Sequence, residues 1–255
     1  MCCRPWDIEF EPETHTPVQI SRTIEESLGP NFKCGVLMGA NLANGVARGE
    51  FCESTLACNF GDDENDSETN TNNNLNEATR LIFASDHFSV QHCHDVAGAE
   101  VCGALKNVVA LGAGFIDGLD LGDNTKTALL RVGLIETMDF AKRFFQNVEE
   151  STFLQSCGVA DMIATCYGGR NRKCAEAFSR RASMQKTPEE CKDLWNGIEQ
   201  ELLKGQKLQG TLATDEVYQV LRSRHMTEQF PLFSMIYEIA YEGRAVGDIV
   251  TSIHE

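Results

Sequence analysis

Lys106 is the only charged side chain between Val101 and Ile116, in a run that reads CGALKNVVALGAGFIDG from Cys102 to Gly118. Leu105, Val108, Val109, Gly112, Phe115 and Ile116 recur at the three-and-four spacing of one helical face, while Ala104, Ala110 and Ala113 keep the other faces small. The pattern predicts a helix buried nearly all round. Burial works against an ammonium ion and favours a neutral amine, which can accept a proton near neutral pH. The same spacing also admits a lysine that snorkels to water or pairs with a carboxylate for structural reasons.

A second polar set follows in SCGVADMIATCYGGRNRK, Ser156 to Lys173. Asp161 and Thr165 lie four apart, on one helix face, where they can share a partner. Beyond Gly168-Gly169, Arg170 and Asn171 open a new helix, whose free N–H groups and dipole favour an anion, and arginine adds a planar fork suited to phosphate oxygens. A solvated basic helix start is the plain alternative. Lys207 and Gln209 sit on the glycine-bracketed loop Gly205 to Gly210, flexible enough to fold over a ligand, though such a segment also serves as an ordinary helix connection.

Two motifs are set aside. Gly112-Ala-Gly114-Phe-Ile-Asp-Gly118 places its third glycine one residue late for a dinucleotide fingerprint and follows a helix pattern. His87, His92, Cys93 and His94 suggest zinc, but strand alternation sends Cys93 to the face opposite His92 and His94. No metal site is expected.

The elements that must position these residues fall into two parts. Residues 1–18 read as an irregular or extended lead-in. A short helix spans Ser21 to Leu28, with Ser21 as cap and Gly29-Pro30 as stop. Strands are expected over Lys33–Met38, Glu53–Cys58 and His87–Cys93, with Gly39 letting backbone approach a ligand at a strand's carboxyl end. Gly61 to Asn76, GDDENDSETNTNNNLN, is too polar to order itself and is expected as a solvated loop before a helix at Glu77–Ser85. From Asp95 the pattern is helical: Asn124–Phe145, a Ser151-capped helix over Thr152–Tyr167, a capping box at Thr187-Pro-Glu-Glu190 opening a helix that stops at Gly205, then Thr214–Arg224 and Pro231–Tyr241. The expected architecture is an α/β part over residues 1–94 and an all-helical part over 95–255.

Composition bounds the partners. The 255 residues are 42% hydrophobic and carry a formal net charge of −16, which argues against nucleic acid and anionic membranes. Met1 to Phe10 lacks the apolar core of a signal peptide and no run of about 18 apolar residues occurs, so a cytoplasmic protein is expected. The 11 cysteines form an odd set, several inside helical patterns, and read as reduced thiols.

Taken together, LMGANLA (37–43), FCEST (51–55), CGALKNVVALGAGFIDGL (102–119), GDNTK (122–126), SCGVADMIATCYGGRNRK (156–173) and GQKLQG (205–210) resemble, in order and spacing, the NAD-dependent glycerol-3-phosphate dehydrogenase family. The resemblance runs from about Ser21 to Ile253. It implies a remnant of a doubly wound dinucleotide-binding α/β domain followed by an all-α substrate domain, and interconversion of sn-glycerol 3-phosphate and dihydroxyacetone phosphate. Lys106 matches the catalytic lysine; Asn107, Asp161 and Thr165 match residues that position it and the substrate; Arg170 and Asn171 match the substrate-phosphate clamp. Ala43, Arg170, Lys207 and Gln209 match NAD contacts, and a homodimer is implied. The family's opening strand, GxGxxG turn and helix have no counterpart, and Arg4-Pro5-Trp6-Asp7 stands where a Lys-Gly-x-Asp motif is due. A C-terminal portion with a truncated NAD domain is therefore expected. The rival is a non-catalytic module that dimerises without binding cofactor.

Overall fold

The computed structural model describes residues 9–10, 16–60, 69–182 and 186–253. The Arg4–Asp7 segment lies outside them. In the lead-in, β1 (Glu9–Phe10) and β2 (Pro17–Val18) form a short antiparallel pair. Helix α1 (Ile20–Leu28) follows, stopped at Gly29, whose φ of 101° suits only glycine. Its N-cap is Gln19 and not Ser21. Ser21 instead donates through its N–H and hydroxyl to the two carboxylate oxygens of Glu100 at 2.9 and 3.0 Å, so a tertiary carboxylate takes the serine that local spacing assigned to the cap.

Three strands make a mixed sheet in the order β3 (Val36–Met38), β4 (Cys52–Ala57), β5 (Phe88–Cys93). Helix α2 (Ala43–Ala47) joins the first two, and α3 (Thr69–Phe83) is the crossover between the parallel pair β4 and β5, in register from Cys52↔Phe88 to Ala57↔Cys93. Because β3 runs antiparallel to β4, with Met38 opposite Thr55, its carboxyl end lies toward the amino end of β4. Gly39 therefore does not sit at a shared carboxyl edge. A Cβ there would come within 2.5 Å of the Glu53 carbonyl and 2.8 Å of Ser156 Oγ, so close packing demands glycine, and its backbone lines the cleft described below, as expected at the carboxyl end of β3.

The acidic, asparagine-rich tract differs from expectation in its second half. Residues 61–68 lie outside the described residues, and helix begins at Thr69 instead of Glu77. Asn76 is buried, and its Oδ1 accepts from the Phe60 N–H at 3.1 Å and the Cys58 thiol at 3.5 Å. That tie to the end of β4 stabilises a helical turn whose composition alone favours solvent.

Helix α4 (Val96–Gly118) is the hub of the rest. Asp95 caps it, accepting from Gly98 N at 2.7 Å, and its other oxygen accepts from Glu149 N and Thr152 Oγ1 at 2.9 and 2.8 Å. The helix is long and apolar enough to cross a membrane, but 89% of its apolar window is buried inside the protein, as for a core helix. Leu105, Leu111, Phe115 and Ile116 are fully buried, each contributing roughly 1.5–3 kcal/mol. Its glycines are packing devices. A Cβ on Gly114 would lie 2.6 Å from that of Ala175, and one on Gly118 would press on Ser179, so the dinucleotide-like spacing serves helix contact.

Around α4 pack α5 (Gly122–Phe144), α6 (Glu150–Phe153), α7 (Asp161–Gly168), α8 (Arg170–Arg181), α9 (Pro188–Leu203), α10 (Gln209–Ser223) and α11 (Pro231–Tyr237). The single helix expected over Thr152–Tyr167 is broken by a wide π turn at Ser156–Ala160. There Ser156 Oγ donates to the Glu53 carbonyl at 2.7 Å and Cys157 N to Thr55 Oγ1 at 3.3 Å, pulling the segment onto β4. Ser151 caps nothing; its hydroxyl donates to Glu149. The capping box at Thr187 forms as expected, with Lys204 and Gly205 left-handed after α9. Helix α10 starts five residues before Thr214. Helix α11 ends at Tyr237 and passes into a π turn, Glu238–Glu242, stopped by Gly243.

Candidate active site

A cleft of about 280 Å³ opens between the end of β3, α4, α7, α8 and the α9–α10 connection. Lys106 projects into it from the middle of α4 and closes an ion pair with Asp161 Oδ2. The two side chains are 15% and 7% exposed. The ammonium is therefore not alone in apolar surroundings: it has both a carboxylate partner and an opening to the cleft. Asp161 leads α7 directly after the π turn, so the break that sequence periodicity did not show is what aims it at Lys106. Burial pushes the Asp161 carboxyl above its ordinary value, against the opposing pull of Lys106 and of the Thr165 hydroxyl, which donates to Oδ1 at 3.3 Å. Such a pair can pass a proton to or from an oxygen held over Nζ.

Asn107, the next residue on α4, is joined to Asn171 of α8. Asn171 Nδ2 donates to Asn107 Oδ1 at 2.7 Å, and Asn171 Oδ1 accepts from Gly210 N at 2.9 Å. Asn107 Nδ2 donates to the Gly103 carbonyl at 3.2 Å. The amides thus tie the start of α8 and the start of α10 to the lysine's helix. Arg170, exposed at the first position of α8, lines the same cleft. The first N–H groups of this 12-residue helix have no intrahelical acceptor, so with Arg170 they offer an anion a site about one helical turn wide.

Lys207 and Gln209 also line the cleft, but the connection that carries them is more firmly tied than its glycines suggest. Lys207 Nζ pairs with buried Glu199 at 2.8 Å and donates to Asn196 at 3.2 Å, and the other Glu199 oxygen accepts from Leu208 N at 3.0 Å. Gln209 already belongs to α10. Ala43 is exposed at the start of α2 and outside the lining, where its neighbour Leu42 takes part.

Residue-level reading missed Asn41, Leu42, Leu37, Leu203 and Ala164 as cleft residues. Asn41 was findable, being the only polar side chain in Leu37–Ala43. Its Nδ2 donates to Ser54 Oγ at 2.5 Å, and its buried Oδ1 has no hydrogen-bond partner. The leucines carried no signal beyond apolarity. The histidines are used locally: His92 Nε2 is 3.0 Å from the Cys58 carbonyl and His94 Nδ1 2.8 Å from Asn59 Oδ1. Among the described residues no group of three His, Cys, Asp or Glu side chains converges to hold a metal. None of the nine described cysteines is in a disulfide, and burial pushes Cys93 and Cys166 up to about 12.

Comparison with known proteins agrees in extent and in kind. Residues 95–251 match the family model described as NAD-dependent glycerol-3-phosphate dehydrogenase C-terminus, and residues 10–64 the one described as its N-terminus. The cytoplasmic NAD(+) glycerol-3-phosphate dehydrogenase of Drosophila melanogaster is 46% identical over 220 residues, 86% of this chain and 54% of that protein. Its counterpart in Rattus norvegicus is 44% identical over 232 residues, 91% of this chain and 60% of that protein. Among solved structures, glycerol-3-phosphate dehydrogenase from Saccharomyces cerevisiae superposes with a TM-score of 0.83 at 36% identity, covering 96% of this chain and 66% of that one. That from Dunaliella salina gives 0.81 at 37%, covering 97% and 39%. The chain spans little more than half the length of the curated relatives it matches.

Proposed function

Since the chain belongs to the NAD-dependent glycerol-3-phosphate dehydrogenase family, we propose that its cleft interconverts sn-glycerol 3-phosphate and dihydroxyacetone phosphate with NAD. The observation that carries this is the Lys106–Asp161 ion pair facing the same cleft as Arg170 and the first turn of α8. As the neutral amine, Lys106 Nζ takes the proton of the C2 hydroxyl during oxidation and becomes the ammonium paired with Asp161; in reduction that ammonium gives the proton back to the carbonyl oxygen. Asp161, steadied by Thr165, holds Nζ in place and balances its charge. Arg170 and the α8 N–H groups grip the phosphate, while the Asn107–Asn171 bond sets their spacing from Lys106. These cations offset locally the repulsion that a −16 chain exerts on anionic ligands.

NAD, when bound, takes or supplies the hydride at C2. The residues we assign to its nicotinamide end are Asn41, Leu42, Ala43, Lys207 and Gln209, with Arg170 between cofactor and phosphate. The unpartnered Asn41 Oδ1 suits a carboxamide N–H. We divide the chain into an NAD-binding α/β part, residues 1–94, and an all-helical catalytic part, residues 95–255, and assign it to the cytoplasm as a homodimer without membrane or nucleic-acid partners.

A second reading, a dimerising module without redox activity, is favoured by one feature. Among the described residues β3 is a sheet edge, and Phe51, Leu81 and Ile82 are exposed at 71%, 57% and 77%. An exposed edge and apolar surface of this kind calls for a cover. NADH oxidation driven by dihydroxyacetone phosphate separates the two. Turnover by the 255-residue chain that disappears in Lys106→Ala supports the dehydrogenase; a folded chain without turnover supports the module.

A further inference from the structure

Resting on the assignment of Arg170 and Asn171 to the phosphate, we propose that Lys126 and Asp117 are positioning residues that brace the Gly168-Gly169 break from both sides. Neither glycine brings a side chain to fix the direction in which α8 leaves α7, and Gly169 is extended at φ −70°, ψ 159°. The angle between the helices must come from elsewhere, because glycine backbone has the widest conformational freedom.

Lys126, on the first turns of α5, is buried and donates to both carboxylate oxygens of Asp117, at 3.0 and 2.7 Å. Its Nζ also lies 4.2 Å from the centre of the Tyr167 ring, the last side chain before the break. Asp117 Oδ2 is in turn 3.2 Å from Nη1 of Arg172, the third residue of α8. One buried ammonium therefore grips the ring on one side of the glycines and, through Asp117, the first turn on the other. Arg170 and Asn171 lie between the two grips. Removing the ammonium would leave Asp117 short of a partner and the Tyr167 ring without its cation, and a desolvated cation over a ring is among the stronger contacts of its kind.

The test is hydrogen exchange on the complete chain, wild type against Lys126→Met, Lys126→Arg and Tyr167→Leu, with and without dihydroxyacetone phosphate. The amides from Lys173 to Glu176, whose bonds begin with Lys173 N to the Gly169 carbonyl, report the first turn of α8. Lys126→Met is expected to speed their exchange about tenfold, the size typical of coupling within one network, while residues 104–112 of α4 keep their protection. Tyr167→Leu, at a half-exposed position that folding tolerates, should act in the same direction more weakly, and Lys126→Arg should restore most of the protection. Unchanged exchange at 173–176 in Lys126→Met, or an equal rise across α4, α5 and α8, would overturn the brace. Dihydroxyacetone phosphate that protects nothing in the wild type would instead count against the substrate assignment, the variants still deciding the brace.

Discussion

Lys106 and Asp161, 55 residues apart in the chain, meet in an ion pair at the wall of the cleft because a π turn anchored on β4 ends where α7 begins. Both side chains are largely buried, so the two opposite charges compensate one another inside the protein. Substituting Asp161→Ala leaves the ammonium without its carboxylate, and the expected cost is about 3–5 kcal/mol of folding stability. Urea unfolding measures it; a loss below about 1 kcal/mol, the level of a surface pair, would mean that the pair is not coupled as described.

For catalysis, Lys106→Ala is expected to lower dihydroxyacetone phosphate-dependent NADH oxidation about 10²–10⁴-fold, the range of a positioned proton-transfer group. Thr165→Val should cost far less, because Thr165 reaches the proton-transferring pair through Asp161 Oδ1, to which it donates at 3.3 Å, and not through Nζ itself. Steady-state rates of the two variants would reverse this ranking if the proton were handled elsewhere.

Asn171 bonds at once to Asn107 and to Gly210, all three buried. Asn171→Leu strands the Gly210 N–H and the side-chain Oδ1 of Asn107, each at about 1–3 kcal/mol. A lowered urea midpoint should accompany weaker binding of dihydroxyacetone phosphate by calorimetry. Stability without change would show that water replaces the amide.

Glu136 supplies a pH dependence away from the cleft. From α5 its carboxylate accepts from Leu232 N at 2.7 Å and Phe233 N at 2.9 Å, capping the start of α11, and burial pushes its carboxyl up to about 7. The folded chain thus holds a proton that the unfolded chain releases near 4.5. This group's contribution to stability therefore falls as pH rises from about 4.5 to about 7 and is level beyond, a change on the order of 3 kcal/mol. Relative to Glu136→Gln, which keeps one acceptor and cannot ionise, the wild type should lose stability across that window. Parallel pH profiles for the two would remove Glu136 as the cause.

Helix α9 offers a local check. Thr187 Oγ1 accepts from Glu190 N at 3.3 Å, and Glu190 Oε2 from Thr187 N at 2.7 Å. Thr187→Ala is expected to cost about 1 kcal/mol, read from the thermal midpoint, and Thr187→Ser close to nothing.

What the sequence by itself determined was whatever a few neighbouring residues suffice to specify. Thr187, Pro188 and Glu190 start α9 because they satisfy one another's backbone groups within a single turn. The burial of α4 was legible because one charge among 16 residues leaves no face for water, and the α8 start because Gly168-Gly169 breaks the preceding helix. Tertiary structure alone decided the rest, through partners distant in the chain. It tied Asn76, one residue ahead of the expected start of α3, to Phe60 just past β4, reassigned Ser21 from cap to Glu100, and turned β3 antiparallel so that Gly39 packs on Glu53 and Ser156. It also gave Lys106 its carboxylate and Lys207 its Glu199. Propensity and spacing act over a few residues, whereas a buried charge is settled by whichever opposite charge the packed helices bring within reach.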